Sequence, residues 1–351
     1  MKRFIFLTAI AVVLSFLAGA CQSTNAPLKV EENALLSVIT TSGIKKESTL
    51  HFFDDELNVI GSYHLPYASV GNHFYVPEIQ GHDLFLPTHG YAHLKDEENV
   101  LHIDLSELNC TPVFVGQPGI NCVSLQNGFL YTCNTLNNVS YISKVDLSCE
   151  KVENALFPQI YMTKLISDET FLYAFGTALA ENLSSSLYIL DQNMDVVDTV
   201  DLTGLGITQY KAVQDEDCLY FSNPVDSQDR PTNRIGCFNK KSREIQSFTL
   251  DHFMPNDLLI YNDTLLIAHY NPVTAESDGI TLFDLNTEIQ THFPLSHGIE
   301  QMVRIEDSLY ILFEKTIYEY HVEDTNLERI RQGSLPPTKE GEYTGGMFKM
   351  P

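Results

Sequence analysis

A polar turn leading into a short apolar strand recurs six times along this chain at nearly constant spacing. The copies are Gly81-His82-Asp83-Leu84-Phe85, Asn127-Gly128-Phe129-Leu130-Tyr131, Asp168-Glu169-Thr170-Phe171-Leu172-Tyr173, Glu216-Asp217-Cys218-Leu219-Tyr220, Asn262-Asp263-Thr264-Leu265-Leu266 and Glu306-Asp307-Ser308-Leu309-Tyr310. Their leucines, from Leu84 to Leu309, stand 46, 42, 47, 46 and 44 residues apart. A second element is an apolar strand ending in Asp: Phe53-Asp54, Ile103-Asp104, Val145-Asp146, Leu190-Asp191, Phe238-Asn239, Phe283-Asp284 and the degenerate Tyr320-His321. A third is another apolar strand, as in Ser62-Tyr63-His64-Leu65, Gln246-Ser247-Phe248-Thr249-Leu250 and Thr291-His292-Phe293-Pro294-Leu295. Almost nothing between these runs has the period of a long amphipathic helix.

Each unit therefore holds four short strands, and four strands in 40–50 residues is the period of a propeller blade. One such sheet cannot bury both faces alone, whereas sheets packed around an axis cover one another. The reading is all-β: a β-propeller of seven four-stranded blades, at roughly 33–66, 67–116, 117–158, 159–204, 205–251, 252–295 and 296–337. The first unit lacks an inner strand, since Ala34-Leu35-Leu36-Ser37-Val38-Ile39 reads as a second strand. Residues 338–351, around Glu342–Met350, are expected to close the ring by pairing into blade one, which leaves fewer exposed edges. The Leu-Tyr strands after Asn-Gly or Asp-rich turns, with third strands ending in Asp, resemble YVTN-type and related quinoprotein-like bacterial propellers over nearly all of residues 34–350. That resemblance implies the fold and no particular activity, because binding proteins, lyases, lactonases and dehydrogenase subunits share it.

The N-terminus predicts where the propeller resides. Met1-Lys2-Arg3 precedes an apolar run from Phe4 to Ala20, the layout of a secretory signal over residues 1–20. Leu17-Ala18-Gly19-Ala20-Cys21 resembles the lipobox of bacterial lipoproteins, with Ala18 where Leu is usual. The resemblance implies that the Cys21 thiol takes a diacylglycerol and anchors an extracytoplasmic protein to a bacterial membrane. Residues 21–32, polar and containing Pro27, read as a flexible leash.

Without Lys2 and Arg3 the chain keeps 19 basic against 46 acidic residues, a net charge of −27. Such a field repels phosphate backbones, so nucleic acid is excluded as a partner. Beyond Cys21 six cysteines remain: Cys110, Cys122, Cys133, Cys149, Cys218 and Cys237. An even number in an exported chain allows disulfides, and six permit 15 connectivities. Order along the chain suggests Cys110 with Cys122, Cys133 with Cys149 and Cys218 with Cys237; buried free thiols are the alternative. No pair has zinc-site spacing.

Ligands of propellers commonly meet the face formed by the loops that enter the inner strands and those joining second to third strands. The repeat alignment brings Asn72, Asn121, Tyr161, Tyr210, Asn256, Asp257 and Glu300 from successive blades toward the axis. Their oxygens suit a hard cation such as calcium in the central channel; a water-filled polar channel is the plainer reading. His73, His89, His93 and His269, with His252 and His297 near other loops, are candidates for a transition-metal ion or for acid–base chemistry, although 12 histidines place some near loops by chance. The chain has no tryptophan and no G-x-S-x-G, P-loop or dinucleotide fingerprint. Three functions stay open, the last of them a structural module of an envelope complex. The first is a membrane-anchored module that binds a protein or small-molecule ligand on its loop face. The alternative is a metal-assisted lyase or lactonase using the channel or the loop histidines.

Overall fold

The computed structural model describes residues 33–43, 45–71, 77–88, 98–179, 183–323 and 326–351. Residues 1–32, with the expected signal, Cys21 and the expected leash, lie outside the described residues, as do Asn72, His73, His89 and His93. The described residues form 28 strands in seven antiparallel four-stranded sheets. The chain is a seven-bladed β-propeller.

Blade one contains β1 (Leu36–Ser42), β2 (Ser48–Phe53) and β3 (Val59–Leu65). Blade two holds β4 (Glu78–Gln80), β5 (Asp83–Pro87), β6 (Asn99–Asp104) and β7 (Asn109–Phe114), and blade three β8 (Ile120–Gln126), β9 (Phe129–Leu136), β10 (Val139–Asp146) and β11 (Lys151–Pro158). Blade four runs through β12 (Ile160–Ser167), β13 (Leu172–Ala178), β14 (Ser184–Leu190) and β15 (Val196–Asp201). Blade five follows with β16 (Ala212–Gln214), β17 (Cys218–Val225), β18 (Pro231–Asn239) and β19 (Ile245–Thr249). Blade six has β20 (Pro255–Tyr261), β21 (Thr264–Asn271), β22 (Glu276–Asp284) and β23 (Gln290–Phe293). Blade seven has β24 (Gln301–Ile305), β25 (Ser308–Phe313), β26 (Thr316–Glu323) and β27 (Asn326–Ser334). The last strand, β28 (Glu342–Lys349), pairs with β1 from Leu36↔Lys349 to Ser42↔Glu342 and so becomes the inner strand of blade one. The closure expected from the orphan C-terminal segment is borne out.

Consecutive inner strands touch around the axis, as β16 does β20, β20 does β24 and β24 does β28. The apolar cores lie between blades. Ile39, Leu50 and Phe348 of blade one meet Leu84, Leu101 and Ile103 of blade two. Tyr173 and Phe175 of blade four meet Phe221 and Phe238 of blade five. Strands covered on both faces need apolar side chains on both faces, which is why β1 is buried at every position and why the runs read as nearly continuous. Outer strands such as β15 are largely exposed.

The recurring Asp is a turn device. Asp104 Oδ1 accepts the Ser106 N–H at 2.8 Å, Asp146 Oδ1 the Ser148 N–H at 2.9 Å and Asp284 Oδ1 the Thr287 N–H at 2.8 Å. A short carboxylate here satisfies the backbone of the hairpin into the outer strand, and Asn239 does the same for Ser242 N–H. The Asn127-Gly128 turn places both residues at positive φ, 52° and 81°, the geometry of a tight hairpin whose twist matches its strands.

Candidate metal centre

The residues expected on the axis link one blade to the next. Asn121 Nδ2 donates to Met162 O of blade four at 2.6 Å. Tyr161 and Tyr210 are hydrogen-bonded across blades four and five, and burial followed by this neighbour pushes the Tyr210 phenol well up. Asp257 Oδ1 lies 3.2 Å from Lys211 Nζ of blade five, while its Oδ2 accepts Met302 N–H of blade seven at 2.8 Å. Thr344 of blade one donates to Glu300 Oε2 at 3.3 Å. Asn256 is buried beside Asp257 in sequence. Asn121 and Asp257 cap the free edges of the neighbouring inner strands, whose C=O and N–H groups would otherwise stand unpaired, while Tyr161 with Tyr210 and Glu300 with Thr344 meet side chain to side chain. Around them lie charges that the sequence reading passed over: Lys164 and Lys211, both buried, and Glu78, whose carboxyl is pushed up to about 7 by burial against the opposing pull of Lys164.

All six described cysteines are free thiols. Proximity in space departs from order along the chain. Cys122 on the inner strand β8 faces Cys133 on β9, with sulfurs 3.7 Å apart, whereas Cys110 sits on the outer strand of blade two and Cys149 is exposed in the β10–β11 turn. Of the three pairs suggested by order along the chain, only Cys218 and Cys237 lie on adjacent strands of one blade, offset diagonally in register.

A different convergence stands off the axis, on the loop face between blades five and six. A cavity of about 730 Å³ opens there, walled by Phe253, Met254, Tyr270, Asn271 and Glu276 together with His252, His269 and Asp278. His252 comes from the loop entering β20, Asp278 from the start of β22 and His292 from the outer strand β23. One ligand atom from each lies within 4.8 Å of the others. His252 Nδ1 is 2.5 Å from Asp278 Oδ2, and His292 Nε2 is 4.0 Å from Asp278 Oδ1. The two imidazoles stack at 3.5 Å with an 11° interplanar angle.

A hydrogen-bonded chain behind the cluster fixes which nitrogen of His292 is bare. His269 Nδ1 lies 2.9 Å from the Phe253 carbonyl, which can only accept, so Nδ1 carries the proton. Burial, the largest influence, lowers His269 to about 4; its Nε2 is therefore an unprotonated acceptor and takes the Thr281 hydroxyl proton at 2.8 Å. The Thr281 oxygen is left to accept from His292 Nδ1 at 3.2 Å. His292 thus presents the lone pair of Nε2, a buried atom with no hydrogen-bond partner, toward Asp278. Metal-binding histidines are oriented by this kind of hydrogen bond to the other ring nitrogen. Burial also lowers His292, with His252 adding to the effect, and the His252 hydrogen bond holds Asp278 below the ordinary carboxylate value.

The overall shape is shared with many solved structures. A selenium-binding protein from Sulfolobus tokodaii, described as hypothetical, superposes with a TM-score of 0.66 at 9% identity, covering 90% of this chain and 93% of that one. Dihydro-haem d1 dehydrogenase NirN, in complex with DHE, gives 0.56 at 10% identity over 94% and 78%. A chain of the mitotic checkpoint complex gives 0.55 at 10% identity over 83% of each. The likeness is one of fold. No known family matches the sequence, and no curated protein matches it significantly.

Of the loop histidines expected from sequence, His269 belongs to this centre as a buttress, and His252 as a candidate ligand. Asp278 and His292 were missed. A signal existed in the repeat: Thr281 and His292 are cross-strand partners on the third and fourth strands of blade six, as Thr49 and His64 are in blade one. There, too, the threonine hydroxyl bonds the imidazole Nδ1, at 3.0 Å.

Proposed function

We propose that this chain is a lipid-anchored, extracytoplasmic propeller that binds a divalent transition-metal ion through His252, Asp278 and His292 and takes a small ligand in the adjoining cavity. The observation that carries the reading is the meeting of two imidazoles and a carboxylate from three separate segments, with His292 pre-oriented by Thr281. Imidazole nitrogens favour zinc, iron(II) and their neighbours over calcium, which takes oxygen ligands. Asp278 is exposed and His252 partly so, so both can part to admit an ion while His292 stays fixed. Anchoring rests on residues 1–21, and the charge of −27 favours cationic over anionic partners.

A second reading, a metal-assisted lyase or lactonase, is favoured by one further feature. Three protein ligands leave coordination positions open, and His252 and Asp278 line the cavity. A bound ion of this class supplies Lewis acidity and a more acidic bound water.

Equilibrium dialysis of the full chain in detergent against zinc, followed by metal quantification, tests the reading. One zinc per chain is expected, lost in His292→Ala and Asp278→Ala. A wild-type protein that retains no zinc, iron(II) or manganese overturns it. Metal-dependent opening of a cyclic ester or cleavage of a uronide would select the second reading. The anchoring is tested separately, since Cys21→Ser is expected to move the protein from the membrane fraction to the soluble fraction.

A further inference from the structure

Cys122 and Cys133 take no part in the metal centre, yet they are placed with care. They are direct cross-strand partners on β8 and β9. Opposed residues of antiparallel strands have Cα atoms about 4.5–5.5 Å apart, within the span a disulfide bridges. Their sulfurs are 3.7 Å apart and both side chains are buried. Cys122 has a second commitment: its sulfur accepts the Leu165 N–H of blade four at 2.9 Å and donates to the Leu165 carbonyl at 3.4 Å. It thereby caps the free edge of β12 next to the buried Lys164, as Asp257 caps Met302.

We propose that Cys122 and Cys133 form a reversible disulfide site, in which oxidation exchanges the link between blades three and four for a covalent bond within blade three. The oxidant is a small-molecule disulfide. The Cys122 thiolate attacks one of its sulfurs and expels a thiolate; Cys133, losing its proton, then attacks the Cys122 sulfur of the mixed disulfide and expels the second. Two protein thiols lose two protons and two electrons, and the small disulfide is reduced to two thiols. Burial opposes ionisation of Cys122, but hydrogen bonds from Cys133 and from the Leu165 N–H, with the charge of Lys164 between them in strength, outweigh it, which makes Cys122 the first nucleophile. The burial of both sulfurs confines the exchange to the folding chain or to an opened blade three.

The test uses the full chain in detergent, treated with oxidised glutathione in dilute urea, quenched with N-ethylmaleimide and digested with chymotrypsin. Cleavage after Phe129 or Tyr131 separates the two cysteines, so a disulfide appears as a linked pair of peptides. The expected result is a Cys122–Cys133 linked pair that dithiothreitol releases, with two fewer alkylated cysteines than in the reduced protein. Cys133→Ser is expected to stop at a glutathione adduct on Cys122. Full alkylation of both cysteines after oxidation, or linkage of Cys122 to another cysteine, overturns the proposal. Because β8 is an inner strand, native strand content of each variant is checked by circular dichroism, and oxidation of the wild type stands as evidence if a variant misfolds.

Discussion

Met302 N–H donates to Asp257 Oδ2 at 2.8 Å across the boundary between blades six and seven. The same carboxylate faces Lys211 from blade five at 3.2 Å, so a single 2%-exposed side chain ties three blades at the axis. Removing it leaves the Lys211 amine, pushed down by burial, without the carboxylate that favours its charge, and leaves an N–H unpaired. Asp257→Ala is expected to cost about 3–5 kcal/mol, the range for breaking a buried pair by deleting one partner. Urea denaturation checks this; a loss below 1 kcal/mol would show that solvent reaches the axis and compensates Lys211.

Thr281 is the hinge of the tautomer chain from Phe253 through His269 to His292. Thr281→Val keeps the shape and deletes the hydroxyl, freeing His292 to rotate or to carry its proton on Nε2. Zinc affinity is expected to fall about 10–100-fold, as for other residues that orient metal-binding histidines, while Thr281→Ser retains most of it. Calorimetric titration of both variants separates loss of orientation from loss of packing.

Stability depends on pH in two windows. His269 has an ordinary value of 6.5 and a folded value of about 4, so its neutral form is favoured by folding. Its contribution is complete above 6.5 and is lost as pH falls toward 4, by about 3 kcal/mol in all. His269→Gln, which can still accept from Thr281, is expected to flatten that slope. The turn carboxylates Asp104, Asp146 and Asp284 are held below 3.8 by hydrogen bonds, chiefly from Ser106, Ser148 and Thr287. Their contribution is present above 3.8 and lost below it, so melting temperature is expected to drop again below pH 4.

Ring closure depends on close approach of backbones. A Cβ on Gly345 would lie 2.4 Å from the Val70 carbonyl oxygen, in the strand that completes blade one. Gly345→Ala is expected to destabilise by about 1–3 kcal/mol, the usual cost of overpacking. A chain ending at Pro337 is expected not to fold cooperatively, which its thermal melt would show.

The fold was legible because its signals are local and repeated. The Leu-Tyr turn, the strand-ending Asp and the orphan Glu342–Met350 segment each report a strand or hairpin, and six copies of the first with seven of the second leave little freedom in how they assemble. The candidate centre was less legible because it is assembled once. His252, Asp278 and His292 come from a loop, the start of one strand and the middle of another, and their spacings of 26 and 14 residues match no metal motif. Among the described axial residues, two also have a structural use that the sequence does not announce. Counting oxygens from successive blades points to a cation, yet inner-strand edges must also be capped, and the Asn121 amide nitrogen and Asp257 Oδ2 do that while Asp257 Oδ1 faces Lys211. Disulfide order failed for a related reason, since Cys110 and Cys122 are close in sequence but belong to the outer and inner strands of different blades.

The most direct test of the metal assignment is a thermal melt of the full chain in detergent, first with chelator and then with zinc or calcium added singly. At 100 times its dissociation constant a ligand of the native state adds about 2.7 kcal/mol, enough to raise the melting temperature visibly. The assignment predicts a rise with zinc that His292→Ala abolishes, and none with calcium. No rise with zinc, or a rise with calcium that survives in His292→Ala, would contradict a nitrogen-rich centre in blade six and return attention to the axis.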